Sequence, residues 1–207
     1  MKEVREVEEI WLASRSPRRQ ALVRVLGYPV RVVEPPDEEG GIEGLWPSEA
    51  AMTLAARKVR WALPLPAGVL AMGADTIVVA DGEVLGKPRN LEEARAYLER
   101  LSGRWHVVYT GVALAWGQRM RVFCEETAVR FHVLSEAVVE TYLHTGSGLD
   151  KAGAYGAQDL IGLIGIAEIR GDFYNVVGLP LQRVYQEGVK LLGRDWVSRG
   201  AKSPGLG

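Results

Sequence analysis

What this sequence has little of narrows its possibilities first. It holds one cysteine, Cys124, so no disulfide can form within the chain. It has no uninterrupted apolar run of the roughly 18–20 residues that cross a bilayer. Its first residues, Met1-Lys2-Glu3-Val4-Arg5-Glu6, carry acid and no apolar h-region, so no secretory signal is read there. These three absences predict a cytoplasmic protein with no membrane partner. Histidine is scarce, and His106, His132 and His144 lack metal-ligand spacing. A net charge of -1 leaves no basic excess, which excludes a broad nonspecific nucleic-acid surface but not a local basic pocket. Asparagine occurs only at positions 90 and 175, and arginine far outnumbers lysine. That balance is compatible with a thermophile and equally with a G+C-rich genome.

What is present reads as an ordinary globular chain. The 207 residues are 47% hydrophobic and 25% charged, enough for one domain, or one domain with two lobes, around a sizeable core. Val7 to Ala13 reads as a strand. Pro17 to Leu26 reads as a helix, with Ser16 as N-cap, Pro17 at the first position and Gly27 beyond its end. Tyr28 to Val33 is a second strand, and Ser48 to Leu63 a second helix. Val69 to Gly73 reads as a short buried strand ending near Asp75. Thr76 to Ala80 and Glu83 to Leu85 flank the hairpin dipeptide Asp81-Gly82. Asn90 to Arg100 is a helix with Asn90 and Glu93 as a capping box. Trp105 to Ala115 and Met120 to Phe131 form a hairpin, and Ser135 to His144 a helix. Gly146 to Gln158 is a loop, Ile161 to Ile169 a strand and Val177 to Leu192 the last helix. Alternating strands and helices with hairpins predict an α/β fold on a mixed sheet. The expected organisation is one domain over 1–193 and a flexible tail over 194–207.

Five constellations can carry chemistry. Ser14-Arg15-Ser16-Pro17-Arg18-Arg19 stands where a strand turns into a helix. Free backbone N–H groups and the helix dipole favour an anion there, and arginine forks match phosphate oxygens. The alternative is a solvated basic first turn, which opposes the dipole. Asp75, in Gly73-Ala74-Asp75-Thr76, can hold Mg²⁺ or accept a proton from water, or it is a turn residue. Gly82 to Pro88 is not a Walker A loop, because its glycines are four apart and Pro88 replaces the metal-binding hydroxyl. Lys87 there can still reach a phosphate. Asp37-Glu38-Glu39 offers further carboxylates, or is a solvated acidic loop. Asp150 to Gln158 is rich in small residues, with Tyr155 able to stack on a base and Gln158 able to bond a base edge. Asn175 reads as positioning the start of the last helix. There is no GxSxG elbow, and Cys124 reads as a small strand hydrophobe.

Taken together, LASRSPRRQAL (12–22), LAARK (54–58), GADTIVVADGEVLGKPRN (73–90), LDKAGAYGAQ (149–158) and GDFYNVVGLPL (171–181) resemble the Maf family of nucleoside triphosphate pyrophosphatases, distant relatives of the inosine-triphosphate pyrophosphatases. The resemblance spans roughly residues 5 to 192 and rests on several independent motifs. It implies an α/β/α fold with an elongated, twisted mixed sheet and two lobes around an active-site cleft. The implied reaction takes a nucleoside triphosphate and water to the monophosphate and pyrophosphate with Mg²⁺ or Mn²⁺.

By the same resemblance Asp75 is the catalytic proton acceptor. Arg18, Thr76 and Gln158 match positions tied to substrate choice in the dTTP/UTP branch. Gln158 in its GAYGxQ context separates that branch from the one preferring 7-methyl-GTP. Ser14, Ser16, Arg19, Lys58, Lys87 and Lys151 match phosphate-side positions, and Glu39 with Asp75 the metal ligands. Asn90, where the family carries Asp, caps a helix equally well. A homodimer and a nucleotide-pool cleaning role linked to division arrest are implied too. A pyrophosphatase preferring 7-methyl-GTP and a nucleotide-binding regulator of septum formation without turnover are the competing expectations.

Overall fold

The computed structural model describes residues 6–36, 40–198 and 200–201. The first strand, β1 (Glu9–Ala13), runs parallel to both of its neighbours, β2 (Val30–Val32) and β3 (Val69–Ala80). Parallel neighbours need crossovers, and helices α1 (Pro17–Arg24) and α2 (Pro47–Trp61) lie in those connections. The chain continues through β4 (Glu83–Leu85), α3 (Leu91–Leu101), β5 (Trp105–Trp116), β6 (Arg119–Phe131) and α4 (Glu136–His144). A 3-10 turn at Ala152–Ala154, α5 (Leu160–Gly165), β7 (Ile166–Arg170), α6 (Phe173–Val177) and α7 (Leu181–Leu192) complete it. The seven strands form one mixed sheet in the order β2-β1-β3-β5-β6-β7, with β4 antiparallel on β3. The expected α/β class with a mixed sheet is what the chain adopts.

The chain divides into two compact units. Unit 1 comprises the described residues of Met1–Asp75, Gly111–Cys124 and Gly178–Gly207. Ala55, Ala56 and Val59 of α2 pack there against Ala71, Ala113 and Ala115 of the sheet. These small side chains let helix and strands approach closely. Unit 2 comprises Thr76–Thr110 and Glu125–Val177. Its core is built on Leu98, Leu101, Phe131, Tyr142 and Ile161, all fully buried or nearly so.

Local chemistry explains where expectation and structure meet. Ser16 caps α1, its Oγ accepting from Arg19 N at 3.5 Å. Asp81 and Gly82 both take positive φ, 50° and 78°, as a tight hairpin turn requires. Asn90 Oδ1 accepts from Glu93 N at 2.9 Å, but the reciprocal bond shifts by one residue, because Glu93 accepts from Arg89 N at 2.6 Å.

Four expectations change. β3 does not stop before Asp75, because Gly73 and Ala74 are small enough to carry an unbroken strand to Ala80. The apolar run 161–169 is not one strand: Leu160–Gly165 turns as a helix, with Leu163 N donating to Asp159 O at 2.9 Å, and only Ile166–Arg170 pairs with β6. Short apolar runs do not distinguish helix from strand by periodicity. The last helix is two helices, split where Gly178 takes φ 116° and Pro180 precedes α7.

The chain also does not leave unit 1 as a tail at 194. Trp196 is buried and stacks on Tyr28 with centroids 6.3 Å apart, and its Nε1 donates to Tyr185 O at 3.0 Å. A Cβ on Gly188 would lie 2.2 Å from that indole nitrogen, so the helical glycine is there to admit the ring. Residues 202–207 of the expected tail lie outside the described residues.

Candidate active site

In unit 1 the parallel register pairs Ala13 with Gly73. The turn leaving β1 therefore emerges beside Ala74 and Asp75. Ser14 is buried there, and its Oγ accepts from Ser16 N at 3.2 Å and from Arg19 Nη1 at 3.5 Å. Arg19 is held from a second side, since its Nε donates to Gly178 O at 2.8 Å. Burial lowers the Arg19 pKa from its ordinary value, nearby Asp75 opposes that, and Arg18 adds to it. Arginine stays charged nonetheless. Arg18 is partly buried, whereas Arg15, which the sequence reading leaves out of the site, is exposed.

Helix α2 delivers the next cation. Lys58 Nζ lies 2.5 Å from Asp75 Oδ1 and donates to Ala74 O at 3.3 Å. Gly73 makes this approach possible, since a Cβ there would meet Val59 Cγ2 at 2.9 Å and Ala55 O at 3.0 Å. Both members of the pair keep about a quarter of their side-chain surface, 26% for Lys58 and 21% for Asp75. They are accessible to a ligand without being loose. Ser14, Ser16, Arg19, Lys58 and Asp75 thus gather at one end of β1 and β3.

In unit 2, Gly153 N donates to Gly86 O at 3.1 Å. This bond ties the turn bearing the exposed Lys87 to the loop that leads to Gln158, which is exposed on a turn. Gly153 takes φ 68°, and a Cβ there would meet Val78 at 3.0 Å, so the loop lies tight on β3. Thr76 is partly exposed, and its Oγ1 lies 2.9 Å from Thr110 Oγ1.

Three expectations fare differently. Lys151 is not presented to a phosphate: its ammonium is buried, donating to Ser147 O and to Asp150 Oδ1 at 2.7 Å, with Asp159 Oδ2 at 3.2 Å. Asp159 in turn accepts from Tyr142 Oη and Ser147 Oγ, each at 3.0 Å. A fully engaged buried ammonium serves the loop's shape. Tyr155 cannot stack on a base, because it is buried against Phe131 and its Oη lies 2.7 Å from His106 Nε2. Burial lowers the His106 pKa to about 4 and raises that of Tyr155. Glu39, with Asp37 and Glu38, lies outside the described residues.

The sequence reading missed Thr110, and it misplaced Asn175, which lies inside α6 and not at the start of α7. Asn175 is fully buried, with Nδ2 donating to Val108 O at 3.1 Å and Thr127 Oγ1 at 2.9 Å. Its backbone O accepts from Thr110 Oγ1 at 3.2 Å. A threonine alternating within a strand carries no sequence mark of such a role.

Comparison with known proteins gives the family of this chain. A family model described as Maf-like protein matches residues 9–189. A protein of Symbiobacterium thermophilum named dTTP/UTP pyrophosphatase is 49% identical over 87% of this chain and 92% of its own. Proteins of the same name from Thermotoga maritima and Thermus thermophilus are 45% and 47% identical, over 86% and 84% of this chain and 86% and 90% of theirs. Among solved structures the Ham1 protein of Staphylococcus aureus is similar at 15% identity and a TM-score of 0.49, covering 87% of this chain and 98% of that one. A match across most of the chain, with the motif residues gathered as described, means that this chain belongs to the Maf family.

Proposed function

We propose that this protein hydrolyses dTTP and UTP between the α and β phosphates, releasing the monophosphate and pyrophosphate. The observation that carries the reading is the Lys58–Asp75 pair beside the Ser14–Arg19 turn, in a chain 49% identical to a protein named dTTP/UTP pyrophosphatase. The turn supplies backbone N–H groups, a serine hydroxyl and a fixed guanidinium, which together suit phosphate oxygens. Arg18, Arg19, Lys58 and Lys87 neutralise the triphosphate and the departing pyrophosphate. Asp75 orients the attacking water and accepts its proton. The water oxygen bonds to the α phosphorus, and the bond to the bridging oxygen breaks with its electrons leaving on pyrophosphate. Thr76 and Gln158 contact the base.

Among the described residues no three His, Cys, Asp or Glu side chains cluster to cage an ion. Mg²⁺ and Mn²⁺ do not require such a cage, since one or two carboxylates suffice alongside water and substrate phosphates. Asp75, a partly exposed carboxylate, fits that donor chemistry, and Glu39 is the second ligand we assign. When bound, the ion offsets charge on the phosphate oxygens. The reading also includes a homodimer, a cytoplasmic location and a role in cleaning the nucleotide pool.

The test is pyrophosphate release from a panel of canonical and modified triphosphates with Mg²⁺. We expect dTTP and UTP to lead the panel. Faster release from 7-methyl-GTP would overturn the branch assignment. Binding of dTTP with no release from any member would favour a regulator without turnover.

A further inference from the structure

The Thr76 hydroxyl in unit 2 belongs to a relay whose direction the geometry fixes. A threonine hydroxyl has one proton to give and two lone pairs to accept with. Thr110 is fully buried, and it donates its proton to the Asn175 backbone O at 3.2 Å. That carbonyl cannot swing away, because the Asn175 side chain is anchored at two points, on Val108 O and Thr127 Oγ1. Thr127 is itself tied to the Asp172 backbone, accepting from its N at 3.1 Å and donating to its O at 3.2 Å. With the Thr110 proton committed, the 2.9 Å contact between Thr76 Oγ1 and Thr110 Oγ1 is made by the Thr76 proton. Turning the relay round would take the Thr110 donor from a buried carbonyl, which is unfavourable.

We infer that Thr110 and Asn175 are positioning residues that make Thr76 a hydrogen-bond acceptor towards the substrate, and that this polarity selects bases with an imide N–H. Thymine and uracil carry that donor at N3. Cytosine carries a lone pair there, so its N3 would face a lone pair of Thr76. A freely rotating hydroxyl would accept from one base and donate to the other, and could not tell them apart. One held in a single sense penalises the wrong partner by leaving polar groups opposed. The inference rests on the proposed contact of Thr76 with the base.

The experiment measures kcat/KM for UTP and CTP in the full-length protein, in Thr110→Val and in Thr110→Ser. The wild-type protein is expected to favour UTP. Thr110→Val keeps shape but removes the acceptor for the Thr76 proton, so the UTP/CTP ratio should fall roughly tenfold or more. Thr110→Ser retains the hydroxyl and should restore the ratio. A purely structural role for Thr110 would lower both substrates together and leave the ratio unmoved, which would overturn the inference. If Thr110→Val does not fold, Thr76→Val, at a partly exposed position, reads the same ratio, and an unchanged ratio there is equally fatal. If the wild-type protein releases no pyrophosphate from either nucleotide, the proposed function falls and takes this inference with it. Turnover of UTP and CTP at equal efficiency overturns the inference alone.

Discussion

Lys58 on α2 and Asp75 on β3 meet at 2.5 Å, and the closeness depends on a residue that is neither of them. Gly73 lets the helix lie against the strand. Gly73→Ala should force its Cβ into Val59 and the Ala55 carbonyl. We expect a loss of about 1–3 kcal/mol from overpacking, with a larger relative loss of turnover as Lys58 is pushed from Asp75. Thermal unfolding and pyrophosphate release, measured on the same sample, check both halves.

Lys58→Met should separate charge from packing. The pair is partly exposed, so stability should change little. Pyrophosphate release from dTTP should fall by about 100-fold, since a fixed cation near the reacting phosphate is lost. An unchanged rate would remove Lys58 from the phosphate site.

His106 should leave a signature in the pH dependence of stability. Burial lowers its folded-state pKa from 6.5 to about 4. Between those values the unfolded chain takes up a proton that the folded one refuses, so the contribution is fully present above pH 6.5 and lost as pH falls towards 4. The span corresponds to about 3 kcal/mol. His106→Gln, which can still bond Tyr155, should flatten that part of the melting-temperature profile relative to the wild-type protein.

Trp196 should act as a core residue despite its place near the end of the chain. Trp196→Ala is expected to cost roughly 3–5 kcal/mol and to lower the melting temperature by on the order of 10 °C. A change within a degree would restore the reading of 194–198 as a tail.

The outline of the fold was legible because its signals are local. Ser16, Asp81-Gly82 and Asn90 act through bonds within a few residues, and each occurs where the pattern placed it. The misreadings are tertiary. Leu160–Gly165 is helical although its composition suits a strand, and Trp196 is buried only because Gly188 and Tyr28 receive it. The candidate site divides in the same way. Ser14, Arg19, Lys58 and Asp75 come together in unit 1. Lys151 has the right type and spacing, yet Asp159 and Ser147 hold it, and only three-dimensional neighbours reveal that. Thr110 carries no mark in the sequence, and Asn175 is recognisable there without its role, because hydrogen-bond direction is not written in residue spacing.

The central claim is that Asp75 handles the water that attacks the α phosphorus. The most direct measurement is pyrophosphate release from dTTP with Mg²⁺ by Asp75→Asn, with a melting curve on the same preparation. Asparagine keeps the size and removes the base, so the variant should melt near the wild-type temperature and lose activity by about 10²–10⁴-fold. A folded Asp75→Asn protein that turns over dTTP near the wild-type rate would contradict the account.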